Sequence, residues 1–325
     1  MLYARLIVMR LLKAVVVLFL IVIFNFFLIH MAPGDPAAVL AGEAGATDEQ
    51  FLRQLREQFG LDQPMYVQLW RYVSGIAMLD FGYSYRQQMP VFDLIMARMP
   101  ATLLLTGTAF VLSLALGILA GSLAAARAKK PSGSLIMALA LLFYATPLFW
   151  VALMAVVLFS VYLDWLPAYG MVTVGAGYTG LALALDVGKH LILPATTLAL
   201  FFMAIYTRMT RTSMLEASQQ DYVKTARAKG LSPRIIQRRH ILRNALLPII
   251  TLAGLQAGQM VGGAILTETV FAWPGIGRLM YEALMQRDYN LLLGIFFFSA
   301  ALVIVFNILT DLVYRLADPR IKEAS

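Results

Sequence analysis

The chain has no cysteine. That excludes disulfides, thiolate metal sites and thiol nucleophiles, and says little about compartment. Charge is also scarce: 14% of the 325 residues are Asp, Glu, Lys or Arg, where soluble domains carry about a quarter. The three histidines, His30, His190 and His240, lie far apart and lack ligand spacing, so no metal site is expected and each is placed at an interface or surface. No Ser-His-Asp constellation stands out, which argues against a hydrolase. No G-x-x-x-x-G-K-[ST] run occurs; the nearest fragment, Val187-Gly188-Lys189, lacks the preceding glycine. The chain therefore cannot bind ATP through a P-loop, and no cofactor or catalytic residue is assigned to it. Low-complexity tracts and solenoid periods are likewise missing.

What is present is apolar. Hydrophobic residues make up 60% of the chain and the mean hydropathy is +0.75. Such a chain would aggregate in water, so the class is an integral, all-α membrane protein. The net charge of +8 is read as basic residues on inner loops, not as a nucleic-acid footprint, since no RNA- or DNA-binding module is visible.

In chain order, Arg5, Arg10 and Lys13 precede a first apolar run to Ile29. A signal peptide shares that design, but the run from Leu11 reaches about 19–20 residues and no A-x-A-like site follows, so a retained helix over 1–31 is expected. Residues 32–99 read as a polar outer subdomain of short helices. MAPGDP and GLDQP are turn signals, Thr47 is a plausible N-cap within Ala46-Thr47-Asp48-Glu49, and Phe51, Leu52, Leu55 and Phe59 follow a helical period. Pro100 opens a second run to about Ala126. A third runs from about Leu135 to Leu163 and carries Pro147, where a kink is expected. After a loop over 164–189, a fourth runs from about His190 to Tyr206, with Pro194 in its first turn or so. A fifth covers about Leu246 to Leu266 with Gly254, Gly258, Gly262 and Gly263, spaced for close helix packing. A sixth covers about Leu291 to Val313 before a short tail, 316–325. About six spans are expected. With the N-terminus inside, inner segments hold about 18 of the 26 Lys and Arg, so both ends are placed in the cytoplasm.

The exception to this apolar pattern is residues 213–248, between the fourth and fifth spans. With the flanking Arg208 and Arg211, the region carries Lys224, Arg227, Lys229, Arg234, Arg238, Arg239 and Arg243 against only Glu216 and Asp221. Anionic lipid accounts for the charge, but not for the length or the punctuation. A helix is expected over about Asp221 to Lys229, stopped at Gly230 by φ > 0. A second helix then restarts with Ser232 as N-cap and Pro233 at N1. Ala226, Ala228 and Gly230 leave the first helix slim at its end, a shape suited to a partner's groove.

This stretch resembles the E-A-A loop of ABC-importer permeases: E-A-A, three residues, Gly, nine or so residues, then I-x-L-P. Thr225, Ala226 and Gly230 stand at its Ala-Ala and Gly positions. Lys224 stands where the general pattern has Glu, with Asp221 the nearest acid, His240 takes the Ile site, and the Leu-Pro comes late at Leu247-Pro248. DYVKTARAKGLS followed by RHILRNALLP is similar to the dipeptide/oligopeptide/nickel branch nearly residue for residue. HMAPGDP, GLDQPMYVQLWRYVSG, HLILPATTLAL, ILTETVFAWPGIGRLMYEAL and the terminal DPRI fit the same branch. The likeness covers nearly the whole chain and resembles most the B-type permease, with its long first outer loop.

The resemblance implies a type I importer transmembrane domain over 100–315 behind an extended periplasmic loop, in the bacterial inner membrane. It implies no enzyme activity for this chain. The implied partners are a homologous C-type permease, two ABC ATPases that bind the ATP and magnesium, a periplasmic or lipid-anchored binding protein, and membrane lipid. It makes Asp221, Tyr222, Thr225, Ala226, Ala228, Lys229 and Gly230 the ATPase-coupling residues. Di- or oligopeptides are the implied cargo; nickel chelates and glutathione remain alternatives. The cargo path is unassigned beyond Glu268, for which an interfacial carboxylate capping the next turn is an equal reading. A proton-coupled secondary transporter is a second class, disfavoured because no span centre holds an acid or base by these boundaries. An ion channel is a third, for which no selectivity-filter motif appears.

Overall fold

The computed structural model describes residues 2–31, 53, 57, 62–84 and 86–317. The expected turn at MAPGDP, the helix start at Thr47, the apolar positions 51, 52, 55 and 59 and the DPRI tail lie outside these. The chain divides into two compact units, Met1–Arg98 with Met280–Ala301, and Met99–Leu279 with Leu302–Ser325.

The first unit holds helix α1 (Leu2–Met31), helix α2 (Met65–Ala77) and a two-stranded hairpin, β1 (Tyr83–Ser84) and β2 (Met89–Pro90). The strands pair antiparallel, Tyr83 with Pro90 and Ser84 with Met89. The hairpin is tied down by side chains. Ser84 donates to the Asp288 carboxylate, and Asn290 Nδ2 donates to the Tyr83 carbonyl at 3.2 Å. Asp288 Oδ1 also accepts the Leu291 N–H at 3.1 Å, which satisfies one of the free donors of a helix start.

Helix α3 (Val91–Ala126) follows. Then come α4 (Pro131–Ala145), α5 (Leu148–Ala155) with a π-helical turn over Val156–Tyr162, and α6 (Gly180–Ser218). The short α7 (Asp221–Ala228) precedes a lead-in, Pro233–Ile235 and a π-helical Ile236–Leu242, to α8 (Arg243–Val270). Helices α9 (Ile276–Met285) and α10 (Tyr289–Ala317) complete the order. Among the described residues, four helical stretches are long and apolar enough to cross a membrane: Val91–Ala126, Gly180–Ser218, Pro233–Met260 and Tyr289–Thr310. The pair α4 and α5 makes up a fifth if taken as one span, and α1 carries a shorter apolar stretch, Leu12–Leu28.

The prolines act differently from expectation. Pro100 does not open a helix: α3 begins at Val91 and carries Pro100 inside it. Pro194 is likewise internal, because α6 starts at Gly180 and not near His190. Each removes one ladder donor. Pro100 is exposed and is followed by buried Ala101 and Leu105, whereas Pro194 is buried between Leu193 and Ala195. Pro147 does more than kink. α4 ends at Ala145, α5 starts at Leu148, and their axes differ by 101°. Thr146 is extended, ψ 133°, as a residue before proline tends to be. His190 is not at the surface: it is buried on α6, with Nδ1 donating to the Asp186 carbonyl at 2.9 Å.

Glycines set the helix contacts of the second unit. A side chain on Gly254 would meet Thr310, and one on Gly258 would meet Val303, both on α10. Gly263 faces Leu198 and Phe202 on α6, whereas Gly262 faces open space. Two glycines not singled out in the sequence are tighter. A Cβ on Gly117 would run into Tyr206, and one on Gly121 would stand 2.6 Å from the Thr207 carbonyl oxygen. Four residues apart on α3, they bring its backbone against α6. Between the helices lies one apolar cluster, including Leu105, Leu198, Phe202, Tyr206, Ile249, Met260 and Trp273.

Gly121→Ala is expected to destabilise the solubilised protein by about 1–3 kcal/mol, since the obstacle is backbone and cannot rotate away. Gly107→Ala on the same helix, where a Cβ meets nothing within 4 Å, should not lower the thermal midpoint. Parallel thermal unfolding of the two variants checks this.

Candidate functional site

Helix α7 forms because Asp221 supplies an acid to its first turn and Arg227 a base to its last, matching the helix dipole. Val223 and Ala226, three apart, make its apolar face. Both are buried, in a cluster with Met214 and Ala217 of α6, Ile236 and Ile241 of the lead-in, and Ala245 of α8. Full burial of a valine is worth about 1.5–3 kcal/mol, so α7 is seated on the ends of two long helices and not hung from a flexible loop.

The helix stops as its sequence dictates. The Gly230 N–H donates to the Arg227 carbonyl at 2.9 Å and the Leu231 N–H to the Ala226 carbonyl at 3.3 Å. That pair of bonds is a Schellman motif, with Gly230 at φ +75°. Restart at Pro233 also occurs in the expected register, but Ser232 makes no side-chain cap. Its carbonyl instead accepts the Ile235 and Ile236 N–H groups at 3.0 and 3.1 Å.

The expected coupling residues divide by face. Asp221, Tyr222, Thr225, Ala228, Lys229 and Gly230 are exposed. Ala226 is 3% exposed and faces the bundle, so only Ala228 and Gly230 slim the outer tip. Lys224, at the position of the pattern's Glu, pairs with Asp221 at 2.8 Å with both side chains largely exposed; such a pair contributes little. Thr225 Oγ1 donates to the Asp221 carbonyl at 3.0 Å. Beneath the helix lies a pocket of about 410 Å³, lined in part by Met214, Ser218, Arg227, Leu231, Ile236 and Gln237.

At the other end of α8, Glu268 is 0% exposed. Thr102 Oγ1 donates to its Oε1 at 2.7 Å and the Arg278 N–H to its Oε2 at 3.0 Å. The Ile276 N–H donates to Thr102 Oγ1 at 2.7 Å. The carboxylate thus terminates the free donors at the start of α9, which is the geometry of a cap. Trp273 Nε1 donates to the Ala101 carbonyl at 2.8 Å, and Arg278 Nη1 to the Ala272 carbonyl at 2.7 Å. Gly275 and Gly277 leave no room for a Cβ against Glu268. Thr102, Trp273 and Arg278 were not picked out from the sequence; the P-G-I-G spacing after Trp273 was the available signal.

The loop between α5 and α6 is pinned as well. Asp186 accepts the Thr173 N–H at 2.7 Å and its hydroxyl at 2.8 Å. The Gly170 N–H donates to the Phe271 carbonyl at 2.9 Å.

The second unit is a bundle of long apolar helices with a short helix seated on the ends of two of them. Residues 117–323 match the family of binding-protein-dependent transport system inner membrane components, and residues 3–106 match the N-terminal domain of such components. The chain belongs to this family: it is a multi-pass inner-membrane permease and not an enzyme. It is 39% identical over 319 residues to the dipeptide transport system permease protein DppB of Escherichia coli (strain K12), covering 93% of this chain and 94% of that one. It is 38% identical over 327 residues to a protein of the same name from Alkalihalophilus pseudofirmus, covering 96% and 98%. Among solved structures, the inward-facing MetNI methionine ABC transporter aligns with a TM-score of 0.57 at 17% identity, over 69% of this chain and 96% of that one. The fold is that of a type I importer transmembrane domain.

Thr102→Val leaves the buried Glu268 one donor short and the Ile276 N–H without its acceptor, at a cost of about 1–3 kcal/mol. Thr102→Ser keeps both bonds and should stay near wild type. Thermal unfolding of the purified permease in detergent separates the two.

Proposed function

We propose that this chain forms half of the translocation pathway of an ATP-driven importer of di- or oligopeptides. A homologous C-type permease supplies the other half, an extracytoplasmic binding protein delivers the cargo, and two cytoplasmic ATPases bind ATP and magnesium and drive the cycle. Both termini lie in the cytoplasm. Near full-length similarity to permeases named for dipeptide transport supports the cargo. The coupling reading rests on α7, a short helix buried on one face against α6 and α8 and exposed on the other.

In this reading the exposed face, Asp221, Tyr222, Thr225, Ala228, Lys229 and Gly230, sits in a cleft on an ATPase, while Ala226 holds the helix to the bundle. Closure of the ATPase pair displaces α7. Because Val223 and Ala226 join it to both α6 and α8, the long helices tilt as rigid bodies and the cavity changes the side it faces. By the spans read from the sequence no acid or base sits at a span centre, which favours ATP over a proton gradient as the energy source.

Gly230→Asp tests the coupling. A Cβ there meets nothing within 4 Å, so the substitution acts only through the φ +75° backbone and the surface offered to a partner. Uptake of labelled dipeptide by vesicles should fall at least tenfold, with the amount of permease in the membrane unchanged. Wild-type uptake by this variant would refute the coupling role. Uptake should also stop when the partner ATPase is inactivated and persist in the presence of an uncoupler at clamped ATP.

A further inference from the structure

Residues 32–99 are expected to be an outer, extramembrane segment, yet two rulers within the first unit place part of it lower. One is α1, whose apolar stretch is Leu12–Leu28. Helix α2 runs antiparallel to its last turns: His30 Nε2 lies 3.0 Å from Gln68 Oε1, and the Phe26 and Tyr72 rings are 5.9 Å apart. Continuing that register sets Ile76 beside Val22, both buried. Val22, Asn25 and Phe26, on one face of α1, are its buried members among the described residues. Val15, Val16, Phe19, Leu20, Phe24 and Phe27 stay exposed. At 1.5 Å per residue, α2 follows α1 to about 9 Å inside Leu28.

The other ruler is α10, whose apolar span starts at Tyr289. The Phe81 ring, just past α2, lies 5.2 Å from Phe297 and 5.0 Å from Phe298. A Cβ on Gly294 would stand 3.7 Å from the Phe81 Cβ. Both rulers put residues 72–81 below the level where the apolar helices emerge.

We infer that residues 65–82 form a re-entrant element lying in the outer-leaflet interface, with its free face against phospholipid. That face carries Tyr66 at 74%, Trp70 at 72% and Met78 at 81% exposure. Trp and Tyr favour the headgroup level. Arg71 is exposed and by the same register stands near Phe27, where a guanidinium reaches lipid phosphate along its apolar stem. Two side chains are bonded locally: Gln68 Nε2 donates to the Gln63 carbonyl at 2.8 Å and Ser74 Oγ to the Arg71 carbonyl at 3.0 Å, whereas the buried Tyr72 hydroxyl has no partner among the described residues. The Asp80 N–H donates to the Gly75 carbonyl at 2.8 Å. The exposed Asp80 carboxylate, which accepts the Gly82 N–H at 2.9 Å, sets the limit of depth. By these rulers the element reaches about 9–13 Å inside the ends of the apolar stretches, short of the roughly 15 Å half-thickness of the hydrocarbon.

The chain's lack of cysteine makes the test direct. Trp70→Cys and Met78→Cys, each carrying a nitroxide, are placed in the complete transporter in nanodiscs of phosphatidylethanolamine and phosphatidylglycerol. Collisions with oxygen should exceed those with a water-soluble nickel chelate at both sites, with Met78 the deeper. Chelate access equal to that of an aqueous loop at both sites overturns the inference. So does shielding from both reagents, which would mean that a protein covers this face. Should the labelled chains fail to assemble, the unlabelled transporter decides. Lipids brominated at the upper acyl positions should quench part of its tryptophan fluorescence, and Trp70→Phe should remove a large share of that quenched part. An unchanged quenched fraction overturns the inference.

Discussion

Val223 and Ala226 hold α7 in contact with Met214 and Ala217 at the end of α6 and with Ala245 at the start of α8. Without that apolar contact nothing would hold the short helix to the bundle. With it, α7 is packed on the ends of two long helices. The Schellman closure at Gly230 keeps the short helix from fraying, so the seat and the stop together make a rigid part from eight residues.

The opposite end of α8 is closed by different physics. There the Glu268 carboxylate is buried, and Thr102 and the Gly277 and Arg278 backbones donate to it. Trp273 ties the same turn to Ala101. One end of α8 is therefore fixed by apolar packing and the other by a satisfied polar network.

Between those ends the helices approach through glycine. Gly117 and Gly121 on α3 and Gly254 on α8 leave no room for side chains against α6 and α10, and Gly258 leaves little. In hydrocarbon no water is released between apolar faces, so close van der Waals contact carries helix association. The internal Pro194 is buried among close neighbours, which supply packing where the ladder is broken.

The sequence alone determined the class, the apolar runs, the basic stretch and its internal punctuation, because these follow from local rules: apolar length, charge bias, and glycine where φ must be positive. It could also place Asp221 to Gly230 as one short helix with its stop. Tertiary structure decided what depends on residues far apart in the chain. Ala226 faces inward because Met214 and Ile236 are there to meet it. Pro147 breaks its helix by 101°, while Pro100 and Pro194 do not break theirs. Glu268 became a cap once Thr102, remote in sequence, was brought within 2.7 Å. Local pattern reports what a segment can bury; only the fold supplies the surface that buries it.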